Sequence, residues 1–424
     1  MKKFLSLFLA VMMLMACASL FVSCGDSTEE TGTDDNGTAD NGTADNGTTS
    51  GDNAGKKLKV GFIFLHDENS TYDNNFLQAA EQACKDMGVE MVIKKNIPES
   101  EECTRAAEEL VAKGCSVIFA DSFGHEDYLL EVAAENPEVQ FCHATGTKAH
   151  TEKLDNYHNA FASIYEGRYL AGIAAGLKLN EMIDAGKITA AEAVMGYVGA
   201  FPYAEVMSGY TSFYLGAKSV CPSVTMKVTF TGAWYDEAKE EASAKMLISQ
   251  KCVLISQHAD SMGAPKACEA AGVPNVSYNG STKDACPNTF IVSSRIDWTP
   301  YMKYMIEQVQ KGEKIDTDWT GTLSTGSVVL TEINETAAAK GTKEAIETAE
   351  KALKDGTLHV FDTTKFTVAG VALTSYMADV DTDTAYTPDT EVIKDGYFHE
   401  SEYRSAPYFN VEIDGITLLD RGDN

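Results

Sequence analysis

Short apolar runs alternate along this chain with stretches whose apolar positions recur at helical spacing. Leu58 to Leu65 is apolar apart from Lys59 and Gly61, which predicts a buried strand. Asn75 to Met87 has helical periodicity, and Val89 to Lys94 returns to a strand pattern. Thr104 to Lys113 is helical, Ser116 to Ala120 a strand, Tyr128 to Glu135 helical, and Val139 to His143 a strand. Strands separated by helices predict βαβ units, a parallel sheet covered on both faces and right-handed crossovers. A long helix over Phe161 to Leu179 follows, with Gly167, Gly172 and Gly176 permitting close packing. The pattern then restarts. Strands are expected at Val194–Gly199, Thr225–Thr231, Val253–Gln257 and Asn275–Tyr278, with helices at Tyr203–Ala217, Glu237–Ser249 and Ala264–Ala271. A further helix is expected at Thr299–Gln310, with the chain recrossing near Ser294.

Two α/β lobes of the same kind are the simplest reading. The first is expected to hold residues 58–192, 295–325 and much of 360–424, and the second 193–294 and about 326–359. The last fifty or so residues, richer in β-formers and aspartate, are expected to wrap one lobe. In open α/β sheets ligands sit beyond the carboxyl ends of the strands. Two such lobes joined by several crossovers describe a protein that closes on a ligand held between those ends.

The first sixty residues read differently. Lys2 and Lys3 precede an almost unbroken apolar run from Phe4 to Phe21, the layout of a secretory signal peptide. Leu20-Phe21-Val22-Ser23-Cys24 looks like a lipobox, in which Cys24 is lipidated and becomes the new N-terminus. Leu14-Met15-Ala16-Cys17 is a second candidate, but the apolar run continues past Cys17 and the polar segment begins directly after Cys24. A plain transmembrane anchor is the alternative reading; either way the body lies outside the cytoplasmic membrane. From Gly25 to Lys57 there is no large apolar residue, and Thr-Ala-Asp-Asn-Gly repeats at 38–42 and 43–47. Such a segment buries too little apolar surface to offset its chain entropy, so a disordered acidic linker spanning roughly 30 Å is expected. Its Asn-Gly-Thr triplets read as linker, since glycosylation would require a eukaryotic secretory setting.

Charge narrows the partners. The formal charge is −29, of which the body carries about −23. Nucleic-acid binding needs concentrated Lys and Arg, which are absent, so nucleic acid is excluded as a partner and phosphate-rich ligands are disfavoured. The eight body cysteines include no Cys-x-x-Cys pair and no zinc-finger spacing. Some could be bridged in an oxidising exterior, whereas Cys84, Cys115, Cys142 and Cys252 fall within apolar patterns and read as small core residues. No cofactor and no metal is called for. His125-Glu126-Asp127 invites a metal reading, but adjacent residues on a turn rarely converge on one ion.

The loops after the strands supply the candidate site. His66 to Asn75 is dense in hydrogen-bonding groups, with Tyr72, Asp73 and Asn74 at its end; Asp73 could equally cap the next helix. Ser122 and Phe123 follow the third strand, and Thr145 follows the fourth among small residues. In the second lobe Phe201, Trp234, Asp236, Asp260 and Asn279 follow successive strands, and Arg295 lies at the expected crossover. Asp236 is most simply a helix cap. Flat rings stack on a planar ligand while carboxylates accept from sugar hydroxyls or ring nitrogens. No nucleophile elbow, Walker loop or Gly-x-Gly-x-x-Gly after the first strand points to an enzyme, although Asp236 and Asp260 could be read as a hydrolytic carboxylate pair.

At these loops the chain resembles the basic membrane protein family, the substrate-binding lipoproteins of certain ABC transporters. The matching stretches are Ser122-Phe123-Gly124, Glu138 to Gly146, Tyr169 to Gly176, Gly196 to Pro202, Phe213 to Ala217, Trp234 to Glu240, Gln257 to Ser261 and Trp298 to Tyr301. They keep one order over residues 58 to about 330. The resemblance implies a type I periplasmic-binding fold, two doubly wound parallel-sheet lobes joined by a multi-strand hinge. It also implies a monomeric binding protein that takes a purine nucleoside or purine base and delivers it to an ABC permease. In the family an aromatic of the second lobe stacks on the base, and Trp234 occupies that position, with Tyr72 a possible second ring. Nucleoside-binding members carry an Asp-Phe-like pair soon after the first strand, where this chain has Phe64-Leu65-His66-Asp67. Their Gly-x-Asp aspartate is replaced around Asn279, and their late lysine has Arg295 nearby. The ligand is therefore open between a nucleoside and a free base. A sugar or a signalling molecule is the alternative within the same fold.

Overall fold

The computed structural model describes residues 57–380, 385 and 387–421. The signal peptide, Cys24 and the acidic linker lie outside the described residues. In chain order the first half comprises β1 (Lys59–Ile63), α1 (Thr71–Met87), β2 (Glu90–Lys94), α2 (Glu101–Ala112) and β3 (Val117–Ala120). It continues through α3 (Glu126–Glu135), β4 (Gln140–Ala144), α4 (Ala149–Glu152), β5 (Tyr157–Ala162) and α5 (Ile164–Asp184). The second half comprises β6 (Val194–Gly199), α6 (Ala204–Val220), β7 (Thr225–Phe230), α7 (Glu237–Ser249), β8 (Leu254–His258), α8 (Gly263–Ala271) and β9 (Asn275–Tyr278). After these come β10 (Phe290–Ile296), α9 (Thr299–Lys311), β11 (Asp318–Gly321), β12 (Val328–Leu330) and α10 (Thr342–Lys354).

Two sheets result, with strand orders β11-β5-β4-β3-β1-β2 and β12-β10-β9-β8-β6-β7 followed by the late strand Ile416–Leu418. Within these two sheets all pairings are parallel except β10 with β12, and two short antiparallel pairs lie in the tail. The central strands of both sheets are buried on both faces, as in helix-covered parallel sheets. This is the doubly wound α/β architecture of the type I periplasmic-binding fold.

Local chemistry sets the helix ends. Ser70 caps α1, its side chain accepting from the Asp73 amide, and Gly88 ends the helix at φ 67°, a conformation open to glycine at little steric cost. The first lobe is centred on aromatic packing. Trp298, at the start of α9, stacks on Phe76 at 4.5 Å and meets Phe119 and Phe161 edge-on.

The chain passes between the sheets at 162–164, 296–299 and 321–328. The structure departs from the sequence reading in several places. Tyr157–Ala162 is a strand, where the pattern gave no strand and started a helix at Phe161; Tyr-His-Asn-Ala-Phe-Ala lacks apolar alternation, yet all six residues are buried inside the sheet. Helix α5 packs against α6, β10 and α10, so residues 164–184 lie with the second sheet rather than the first. Ile416–Leu418 pairs with β7, which places the end of the tail in the second lobe. Earlier in the tail, the Ser405 amide donates to Asp318 of the first sheet, so the tail touches both lobes. Tail pairings of this kind are fixed by long-range contacts and leave little local trace. The eight body cysteines are buried and unpaired.

Helices α5 and α6 meet through their backbones. A Cβ at Gly172 would fall 2.1 Å from the Phe213 carbonyl oxygen, and one at Gly216 would fall 2.0 Å from that of Tyr169. Backbone cannot yield as a flexible side chain can. Gly172→Ala is therefore expected to destabilise the body by about 1–3 kcal/mol, measured by urea unfolding.

Candidate functional site

The carboxyl ends of the two sheets face each other across a pocket. The first lobe contributes Leu65 after β1, Tyr72 from the first turn of α1, Ser122 and Phe123 after β3, and Thr145 after β4. The second contributes Glu205 from the first turn of α6, Trp234 after β7, and His258 and Asp260 at the end of β8.

The lobes touch around this pocket. The Thr71 amide donates to the Asp260 carbonyl at 3.0 Å, and the Thr71 hydroxyl does so at 3.2 Å. His66 meets Tyr235 with ring centroids 5.4 Å apart, and Phe123 meets Tyr203 at 5.6 Å. To one side, Asn75 Nδ2 donates to Asn279 Oδ1 at 3.1 Å and Arg295 donates to Asn75 Oδ1 at 3.2 Å. The Asp260 amide in turn donates to the Trp234 carbonyl at 2.9 Å. One backbone path thus ties the indole loop to the lobe interface.

The sequence-derived candidates divide. Tyr72, Ser122, Phe123, Thr145, Trp234 and Asp260 line the pocket. Phe201 stands just behind the wall, its ring 5.1 Å from Trp234 edge-on and 5.0 Å from Tyr203 in a stack. Asn74, Asn279 and Arg295 line a neighbouring depression with Thr71 and Asn75. Asp236 sits at the N-cap of α7, accepting from the Lys239 amide. Asp73 is turned away and fully buried: Oδ1 accepts from the His66 amide at 2.7 Å and Oδ2 from the Ser70 hydroxyl at 2.6 Å. Burial pushes its pKa up, but the hydrogen bonds from His66 and Ser70 outweigh that and hold it below the ordinary carboxylate range. His125, Glu126 and Asp127 diverge: His125 Nε2 meets the Ile97 carbonyl, Glu126 accepts from the Thr147 and Lys148 amides, and Asp127 pairs with Lys148.

Leu65, Glu205 and His258 escaped the sequence reading. Glu205 carried a usable signal, since it is an acid in the first turn of a helix whose central residues are wholly buried. Glu205 Oε1 lies 3.3 Å from His258 Nε2. Behind them Arg168 is buried, its guanidinium 3.3 Å above the Tyr278 ring and one nitrogen donating to the Gln257 carbonyl at 2.9 Å. Its Nε and Nη2 have no partner among the described residues. Burial, reinforced by Arg168, drives the His258 pKa well below its usual value, so the imidazole is neutral. Burial pushes Glu205 up to about 7 against the pull of Arg168. Asp260 is driven well above the carboxylate range by burial and then by Asp73, Glu240 and Glu205. The pocket therefore presents carboxyl groups that hold protons easily, and no lysine or arginine lines it.

Glu240 supports the Asp260 loop from behind, accepting from the Ser261 amide at 3.2 Å, and burial pushes it up to about 7. A carboxyl raised from 4.5 to about 7 keeps its proton in the folded body while the unfolded chain releases it. Stability should then fall as pH rises through that window. Glu240→Gln is expected to flatten the fall by up to about 3 kcal/mol, read from urea midpoints at several pH values.

Comparison with known proteins agrees with this architecture. Residues 63–359 match the Bmp family, described as PnrA-like ABC transporter substrate-binding proteins. A purine-binding protein of Brucella abortus is 31% identical over 318 residues, covering 73% of this chain and 84% of its own. A putative ABC transporter glucose-binding protein of Haloferax volcanii is 32% identical over 252 residues, covering 59% of this chain and 60% of its own. In fold, an ABC transporter solute-binding protein from Aeropyrum pernix K1 superposes with TM-score 0.61 at 16% identity, over 72% of this chain and 93% of its own. With its two α/β lobes facing each other across the pocket, the chain belongs to the Bmp family of ABC transporter substrate-binding proteins.

Proposed function

We propose that this protein is a monomeric, lipid-anchored solute-binding protein on the outer face of the cytoplasmic membrane, which captures a purine nucleoside or purine base and hands it to an ABC permease. The observation that carries the ligand class is the pocket itself. An indole and buried carboxyl groups stand at strand and helix ends of the second lobe, opposite an aromatic and hydroxyl-bearing wall of the first. A planar heterocycle offers a face to Trp234 and polar edge atoms to Asp260 and Glu205, contacts that a saturated solute satisfies less completely. The Brucella abortus relative's name gives the same ligand class. Contacts from both lobes favour the closed form, which is what a permease could recognise.

A sugar is the second reading, favoured by the name of the Haloferax volcanii relative and by the capacity of carboxylates to accept from hydroxyls. Thermal-shift measurements with purines, nucleosides and glucose separate the two, and stabilisation by glucose alone would overturn the purine reading. Trp234→Ala is expected to weaken purine binding by roughly 1–3 kcal/mol, the range for aromatic–base stacking, as read by calorimetry. Unchanged affinity would remove the stacking role. For the anchor, Cys24→Ser should abolish incorporation of labelled palmitate in bacterial cells, and Cys17→Ser should leave it in place; the reverse result would move the lipid to Cys17.

A further inference from the structure

The chain beyond residue 359 lies outside the stretch that matches the family, yet it contacts both lobes. We propose that this tail is a strap carried by the second lobe, whose Ser405 amide catches Asp318 of the first and biases the ligand-free protein toward the form in which the lobes touch. Such a strap acts whatever solute the lobes enclose.

The end of the tail is built into the second lobe. Ile416–Leu418 runs parallel to β7, in register with Met226, Lys227 and Val228. The Met226 amide donates to the Gly415 carbonyl at 2.9 Å, and the Leu419 amide to the Val228 carbonyl at 2.8 Å. Asp420 closes the strand, accepting from the Phe230 amide at 2.9 Å and from the Thr229 hydroxyl. Gly415, at φ 95°, lies so close to α6 that a Cβ there would fall 1.9 Å from the Tyr214 hydroxyl. Further upstream, the Tyr165 hydroxyl of α5 donates to the Glu400 carbonyl at 3.2 Å, and its ring lies 5.3 Å from Phe361. Helices α5 and α6 pack with the second sheet, so the tail moves with that lobe.

The hold on the first lobe has a different character. The Ser405 amide donates to Asp318 Oδ2 at 2.7 Å, and His150 Nε2 of α4 lies 3.3 Å from the same oxygen. Ser405 and the Asp318 side chain are both buried, so parting them leaves a donor and a carboxylate short of a partner. Arg404 braces the turn that presents the amide, donating to the Ala406 and Pro407 carbonyls at 3.2 and 3.3 Å. Asp318 opens β11, about 10 Å of strand before the crossing at 321–328. Rotation about the crossings therefore displaces the acceptor while the donor travels with the second lobe, and a hydrogen bond tolerates little displacement. The bond is made while Thr71 reaches Asp260 and Phe123 reaches Tyr203, with the lobes in contact. It favours that form, and a larger competent fraction raises the affinity for any solute held between the lobes.

Spin labels at Arg105→Cys in α2 and Lys245→Cys in α7, exposed positions on opposite lobes, read the lobe separation in the whole ligand-free protein. Asp318→Ala is expected to shift the distance distribution toward longer separations, and Asp318→Asn, which keeps an acceptor oxygen, to shift it less. Hydrogen exchange gives an independent readout. Asp318→Ala should speed exchange at the Ser405 amide by about tenfold or more and leave Ile416–Leu418 protected. Loss of Ser405 protection with an unchanged distance distribution would mean that the bond orders only its own surface, and would overturn the strap. Should Asp318→Ala not fold by circular dichroism, the wild type decides: Ser405 is expected to exchange faster than Ile416–Leu418, and equal protection of the two would overturn the catch. None of these measurements uses a ligand, so failure of the purine reading would leave their outcome unchanged.

Discussion

The hydrogen bond from the Thr71 amide to the Asp260 carbonyl is the contact on which the site depends, because it joins the lobes at the pocket wall. Its donor stands in the first turn of α1, which is fixed by Ser70 and Asp73. Its acceptor belongs to a residue whose own amide holds the Trp234 carbonyl. Moving the lobes apart would therefore release the loop carrying the indole and the carboxyl together.

Electrostatics reinforce that coupling. Asp121, Asp260 and Glu205 are all raised by burial at the floor of the cleft, while Asp73 is held ionised by its hydrogen bonds. Gathering carboxyls in a low-dielectric space costs stability unless they take up protons or find donors. Arg168 offsets part of the cost from behind, stacked on Tyr278 and bonded to the Gln257 carbonyl.

Much of this was legible in the chain. Strands β1 and β3 are apolar apart from Lys59 and Gly61, so they were legible, and the segments after them bring Tyr72, Ser122 and Phe123 to the pocket, while Trp234 follows β7 and Asp260 follows β8. Asp73 looked like a ligand contact because its loop is polar; its carboxylate instead turned inward to hold its own loop. Asn279 and Arg295 line the neighbouring depression instead, each bonded to Asn75, a partner more than two hundred positions away. Strand β5 was hidden because a strand buried on both faces may carry polar residues when each finds a partner, as His158 does with Gln140.

What the sequence determined by itself was the repeating βαβ pattern, the two-lobe division, the acidic balance and the set of loops at the strand ends, since these follow from local periodicity and composition. Which side chains of those loops face the ligand was decided only by tertiary structure. Glu205 and His258 come together from α6 and β8, and Arg168 reaches them from a helix that the strand pattern assigned to the other lobe. Their protonation depends on burial, and burial is created only when the two sheets and the helices between them have packed.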